Sequence, residues 1–351
     1  MARPLRIDFP HGWYHVTARG LERRTIFKDD PDRAHFLELV GAATERFGVV
    51  IHAYVLMDNH YHLVVETPAA NLSQAMQWVN VSYSVWFNRR RGRVGPLFQG
   101  RFKAVVVEVA AYAVELSRYV HLNPVRVKRL GLAKATQQRQ QAGLGTAVPA
   151  AEVVRERVHR LRGYRWSSYR AYVGSERGQE WLVTARVLEL LGGGTGPVDR
   201  AKYRAFVEAA AREGLAESPW ERLTAGLVLG GNQFVEQMRE LAQGNAQQQP
   251  ALRALQRRCG IAEVVRCVEG MKGERWTSFC DRHGDWGRDV VLLLGRQLCG
   301  MKLRELAELA GMQNEATIAL AVQRVAARAE KDAGLRTQIA AAKRQLLNVK
   351  T

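Results

Sequence analysis

Over residues 1–132 the apolar positions change period repeatedly, from runs of β-formers to helical spacing and back. Trp13-Tyr14-His15-Val16-Thr17-Ala18-Arg19 reads as a strand closed by Gly20. Asp29-Asp30-Pro31-Asp32 reads as a helix start, acidic and carrying a proline. Phe36, Leu37, Leu39 and Val40 then continue a helix to about Phe47, where Gly48 ends it. Residues 49–56 and 60–66 predict two strands joined by an Asp58-Asn59 turn, a hairpin. Asn71 or Ser73 is expected to cap a long helix carrying Met76, Val79, Tyr83, Trp86 and Phe87. A fourth strand over 101–108 precedes a helix over 110–122, stopped by Asn123-Pro124. This order predicts an α+β domain of ferredoxin-like type, with helices against one face of an antiparallel sheet.

Beyond that domain the pattern changes. Residues 133–151 are rich in Gln, Ala and Gly and read as a flexible insertion. From about 152 the spacing is helical, broken at 191–197 by glycines and at 245–250 by a Gln-rich segment that reads as a linker. The expected organisation is therefore a domain over 1–132, a helical extension over 133–245 and an all-α domain over 250–351. In the last of these, 289–298 and 301–312 predict helices, the second closing on Gly311, and Asn314 caps a third. Ala307, Gly311 and Ile318 have the spacing of a helix-turn-helix: small residue, turn glycine, buried apolar residue. Gln313, Asn314, Glu315, Thr317 and, one turn on, Gln323 or Arg324 would face DNA bases. An ordinary helical hairpin fits the same spacing, and the Ala-rich third helix also suits dimerisation.

Charge narrows the partner. Lys and Arg number 52 against 34 Asp and Glu, a formal net charge of +18, and the pI is near 10.2. Such a balance points to a polyanion, and the excess is mostly Arg, which grips phosphate with a fork. No segment is apolar enough to span a membrane. The first residues lack the apolar core of a signal peptide, so a cytoplasmic address is expected. Cys259, Cys267, Cys280 and Cys299 form no C-x-x-C pair and read as reduced, mostly buried thiols.

Two constellations carry chemistry. His60 and His62 alternate on one strand and so share a face, where two imidazoles can hold a divalent cation. Alone, such a pair reads better as polar residues on a solvated strand face. Tyr119 and Asn123 lie one helical turn apart, and Tyr119 is the only one of the ten tyrosines followed by Asn four positions on. A tyrosine hydroxyl attacks a phosphodiester poorly unless a metal polarises the phosphate, and the Asn123 amide oxygen could complete a site with the two imidazoles. A simple helix stop at Asn123 before Pro124 is the alternative.

At these residues the chain resembles a known family. Ala53-Tyr54-Val55-Leu56-Met57-Asp58-Asn59-His60-Tyr61-His62-Leu63-Val64-Val65-Glu66-Thr67-Pro68 is similar to the His–hydrophobic–His (HUH) motif of single-tyrosine transposases. Arg118-Tyr119-Val120-His121-Leu122-Asn123-Pro124-Val125-Arg126 resembles the tyrosine helix of REP-associated tyrosine transposases, and the opening strand is similar too. The family often has Pro at the position of Asp58 and Asn at that of Ala18.

The resemblance implies a transposase that cleaves and rejoins single-stranded, hairpin-forming DNA through a 5′-phosphotyrosine at Tyr119. It implies His60, His62 and Asn123 as ligands of Mg²⁺ or Mn²⁺. DNA contacts are expected from Arg89, Arg90, Arg91, Arg93, Arg101 and Lys103, and from Arg126 at the end of the tyrosine motif. Tyr164-Arg165-Trp166-Ser167-Ser168-Tyr169 resembles a further family segment and reads as a tight turn anchored by aromatics. The 301–325 region is similar to the helix-turn-helix of the bacterial replication initiator. The long extension tilts the expected assembly toward a monomer, although related enzymes act as dimers. A catalytically idle, domesticated DNA-binding regulator is the alternative function. An RNA-binding sheet fits less well, because its stacking-aromatic motif is missing.

Overall fold

The computed structural model describes residues 6–132, 149–214, 218–242, 249–256, 259–312 and 314–348. Most of the expected flexible insertion, and Gln313, lie outside the described residues. The chain divides into two compact units, one over 6–243 and one formed chiefly by residues 244–351.

The first unit is built on β1 (Gly12–Arg19), α1 (Asp30–Phe47), β2 (Val50–Met57), β3 (His60–Thr67), α2 (Leu72–Arg91), β4 (Lys103–Val107) and α3 (Val109–Leu122). These strands lie in the order β2-β3-β1-β4, all antiparallel, the ferredoxin-like arrangement that the alternating pattern predicts. Asp29 caps α1 by accepting from the Asp32 N–H, and Gly48 closes it at φ +65°, a left-handed position that favours glycine. The start of α2 differs from expectation. Asn71 spends its amide on the Phe47 carbonyl, and the Asp8 carboxylate accepts from the N–H groups of Leu72 and Ser73 instead. An acidic group at a helix N-terminus also meets the helix dipole favourably.

Helices cover both faces of the sheet rather than one. Phe36 of α1 and Tyr83 of α2 pack together, and Phe36 meets Tyr61 of β3. The opposite face carries Trp13, Val55, Val64 and Val107, and here Ala113, Leu116 and Val120 of α3 bury their side chains. Alternation along the strands sends apolar residues to both faces, so both need a cover.

The extension belongs to this same unit. It contains α4 (Ala151–Gly163), α5 (Ala185–Gly192), α6 (Pro197–Glu213), β5 (Leu223–Thr224), β6 (Val228–Leu229) and α7 (Asn232–Leu241). Tyr169, Tyr172, Tyr203 and Val207 join the core against α3. The sheet is extended to six strands, because β6 pairs parallel with β4 and β5 antiparallel with β6. The expected purely antiparallel sheet is thus mixed. Strands of two residues show no hydrophobic period, so the sequence pattern hides them.

The segment Tyr164-Arg165-Trp166-Ser167-Ser168-Tyr169 runs along the outer edge of β2. The Leu56 N–H donates to the Trp166 carbonyl, the Ser168 N–H to the Tyr54 carbonyl, and the Tyr54 N–H to Ser168 Oγ. Tyr164 donates its hydroxyl to the Leu56 carbonyl at 2.6 Å.

The second unit holds α8 (Pro250–Gln256), α9 (Ile261–Lys272), α10 (Trp286–Gln297), α11 (Leu303–Leu309), α12 (Glu315–Lys331) and α13 (Ala333–Asn348). Leu292 of α10 is buried with Leu306, Ala307, Ala310, Ile318 and Ala321, which clamps α11 and α12 together across Gly311 at φ +65°. Cys259, Cys267 and Cys299 are buried, with Cys259 Sγ 3.7 Å from Cys299 Sγ, and Cys280 is half-buried. Among the described residues no helix is long and apolar enough to cross a membrane.

Candidate functional site

Strand register assembles the site. Thr17 of β1 stands opposite His62 and Arg19 opposite His60, while Lys103 of β4 stands opposite Thr17. Residues two apart share a face, so His15, Thr17, Arg19, His60, His62 and Lys103 all project from the side that α3 covers. A cleft of about 350 Å³ opens there, lined by Arg19, His60, His62, Gln99, Arg101 and Lys103 among others. Its cations and imidazoles suit a phosphate.

Tyr119, near the C-terminus of α3, reaches the same place. Its ring stands edge-on to His62 and to His15, each at 6.1 Å between ring centroids. The Arg126 guanidinium lies 4.6 Å over the Tyr119 ring, and its Nη1 is buried without a hydrogen-bond partner among the described residues. Trp220, in the turn before β5, closes the other side, 5.0 Å from Tyr119 and 4.8 Å from His15.

The imidazoles are partnered. His15 Nε2 and His62 Nδ1 are 2.8 Å apart. His60 Nδ1 lies 2.6 Å from Asn59 Oδ1, while Asn59 Nδ2 donates to the Arg23 carbonyl. Burial lowers the pKa of His15 to about 3. Burial, with Arg19 nearby, lowers that of His60 to about 4. His62 is pushed well below its ordinary value by burial, helped by His15 and His60. All three are therefore neutral near pH 7, the form that donates a lone pair to a metal.

Asn123 donates its amide to the carbonyls of Tyr119 and Val120, at 2.9 and 3.2 Å. It locks the end of α3, and its oxygen remains as the group that could meet a cation. Among the described residues no three His, Cys, Asp or Glu side chains stand together as a metal site. Two neutral imidazoles on one strand face, with an amide oxygen as third donor, are a donor set that suits a divalent cation whose other ligands come from a phosphate.

The expected DNA-contacting arginines divide. Arg101 and Lys103 line the cleft. Arg93 lies over the Phe87 ring, and Arg89 is exposed in the last turn of α2. Arg90 and Arg91 are instead bound to Asp29 and the fully buried Asp32 at the start of α1, which meets their charge within the fold. In the second unit Asn314 is exposed and caps α12 by accepting from the Ala316 N–H at 2.9 Å. Thr317 is half-buried beside the buried Ile318. Arg324 is held by Asp289.

Three residues here escaped the sequence reading: His15, Arg19 and Trp220. The register between β1 and β3 would have found the first two, since the opening strand carries them in alternation with Thr17. Trp220 gave no signal, being a hundred residues from Tyr119.

Residues 9–123 match the model of the family described as "Transposase IS200 like". Among solved structures the chain is similar to one described as "Structure of the REP associates tyrosine transposase bound to a REP hairpin". The identity is 17%, over 42% of this chain and 89% of that one, with a TM-score of 0.32. A comparison with curated proteins finds no match.

Proposed function

We propose that this chain, whose residues 9–123 match the IS200-like transposase model, is a transposase of that kind and cleaves and rejoins single-stranded, hairpin-forming DNA with Tyr119 as nucleophile. The observation that carries the reading is the placement of the Tyr119 ring edge-on to His62 at 6.1 Å, beside a cleft lined by His60, Arg101 and Lys103. Arg101 and Lys103 bind the strand's phosphates, and the Arg126 guanidinium faces the reacting phosphate beside Tyr119. The Tyr119 oxygen bonds to phosphorus, the bond from phosphorus to the 3′-oxygen breaks, and that oxygen takes up a proton while the tyrosine proton passes to water. A 5′-phosphotyrosine and a free 3′-OH result. Attack by a second 3′-OH reverses the exchange and restores Tyr119, so no external energy source is required.

His60, His62 and the Asn123 oxygen would hold Mg²⁺ or Mn²⁺. Bound there, the cation would polarise the phosphate and neutralise its developing charge. Two imidazoles favour Mn²⁺ over the harder Mg²⁺. Residues 303–331 form the second DNA contact, with Asn314 and Thr317 at the start of α12 turned to bases.

The test is a denaturing gel. The protein is mixed with a labelled single-stranded hairpin from beside its gene, with Mg²⁺ or Mn²⁺ or with EDTA. A protease-sensitive covalent band that needs the cation and disappears in Tyr119→Phe, with hairpin affinity kept within about twofold, supports the reading. His60→Ala and His62→Ala each remove the band as well. A band that persists in Tyr119→Phe overturns the nucleophile. A retarded native complex with no covalent band, across several flanking hairpins, assigns the chain to DNA-binding regulation instead.

A further inference from the structure

We propose that His15 is the positioning residue of this site, accepting a hydrogen bond from His62 Nδ1–H and so turning the Nε2 lone pair of His62 toward the cation. The inference rests on the metal reading above and deepens it.

The argument begins with His60, whose hydrogen-bond direction is forced. Asn59 gives its NH2 to the Arg23 carbonyl, which can only accept. Its Oδ1 therefore faces His60 Nδ1 at 2.6 Å and accepts in turn. His60 must carry its proton on Nδ1, and its Nε2 is bare. His62 is built the same way with a different partner. Its Nδ1 lies 2.8 Å from His15 Nε2, and both side chains are buried. With His62 donating, both imidazoles of the pair present Nε2 as the free lone pair. With His15 donating, His62 Nε2 would carry a hydrogen and could bind no cation. Metal-ligating imidazoles commonly give their second N–H to an acceptor that fixes ring and tautomer.

The fold holds His15 firmly for this task. It sits on β1, two residues before Thr17, the cross-strand partner of His62. Its ring lies edge to edge with that of His62 and nearly in its plane, centroids 5.0 Å apart at 17°, and is backed by Trp220. A carboxylate in its place would set a negative charge close to an incoming phosphate. An imidazole orients His62 without that charge.

The experiment uses the full chain and Mn²⁺ alone, with no DNA. Long-range ¹⁵N–¹H correlation on histidine-labelled protein without cation reads the tautomer of His62. Electron paramagnetic resonance of free Mn²⁺ reads affinity. The wild-type protein is expected to show His62 protonated on Nδ1. His15→Leu is expected to mix the two tautomers and weaken Mn²⁺ binding about 10–100-fold. His15→Gln, whose amide oxygen still accepts, is expected to restore most of the affinity. Finding His62 protonated on Nε2 in the wild type, or equal Mn²⁺ affinity in His15→Gln and His15→Leu, overturns the proposal. Mn²⁺ binding that survives the His60→Ala, His62→Ala double variant overturns the metal reading itself, whereas the tautomer still reports on His15. Should His15→Leu fail to fold, the wild-type tautomer and His15→Gln decide.

Discussion

Trp220 meets Tyr119 edge to face, ring centroids 5.0 Å apart at 88°. Perpendicular, edge-to-face packing is a favoured aromatic geometry, and it fixes the ring that would attack. Replacing Trp220 by Ala frees Tyr119 to rotate. Adduct formation in a single-turnover gel is expected to slow about 10–100-fold, with hairpin affinity little changed. Trp220→Phe keeps a ring at the contact and should retain most of the rate. Equal rates in Trp220→Ala and wild type would dissociate the turn from the action of Tyr119.

The four clustered basic residues of most interest do different work. Arg101 and Lys103 face the cleft; Arg90 and Arg91 hold Asp29 and Asp32. Substituting Arg101 and Lys103 together by Ala should flatten the dependence of log K on log salt by about 1.4 for a single strand. The Tm should barely move. Substituting Arg90 and Arg91 together should do the reverse, lowering the Tm because the buried Asp32 carboxylate loses both guanidinium partners and keeps only the Lys28 N–H. Fluorescence anisotropy over a salt series and a thermal melt separate the two.

Acid should loosen the first unit. His121 is fully buried, its Nδ1 2.7 Å from the Tyr203 hydroxyl and its Nε2 2.7 Å from Ser168 Oγ. Burial pulls its pKa from 6.5 to about 3. The unfolded chain therefore binds a proton between those values and the folded chain does not. The stabilisation is complete above 6.5 and drains away as pH falls toward 3, at up to about 1.4 kcal/mol per pH unit for one such group. Urea unfolding at pH 7.5 and 5 should show the loss. His121→Gln, which does not titrate, should reduce the slope.

In the second unit Ile318 is the largest side chain that α12 buries against α11. Ile318→Ala leaves a cavity there and should cost about 2–5 kcal/mol of stability. Denaturant unfolding followed by tryptophan fluorescence would measure it. A change below about 1 kcal/mol would mean that the two helices are held by something other than this contact.

Much of this was legible along the chain. The strands and helices of residues 12–122 announce themselves through period, Asp29 and Gly48 punctuate α1, and His60 with His62 and Tyr119 with Asn123 show as pairs because their partners sit two or four positions away. What escaped is what register and distance decide. His15 becomes a neighbour of His62 only when β1 lies beside β3. The hairpin of β5 and β6 is too short to carry a period, and Trp220 rides on it. The pairing of Arg90 and Arg91 with α1 is invisible in a run that reads simply as positive.

The strip of chain along β2 has a wider consequence. An open strand edge invites other strands to add to it, and Tyr164, Trp166 and Ser168 occupy the backbone groups of Tyr54 and Leu56 that would do so. Cutting the chain after residue 132 would strip that guard and bare the apolar flank of α3 as well. A fragment ending there would then tend to self-associate, because the extension shields both the edge strand and the α3 face of the domain it follows. Gene fusions or deletions that separate the two should surface as inclusion bodies before any loss of chemistry is noticed.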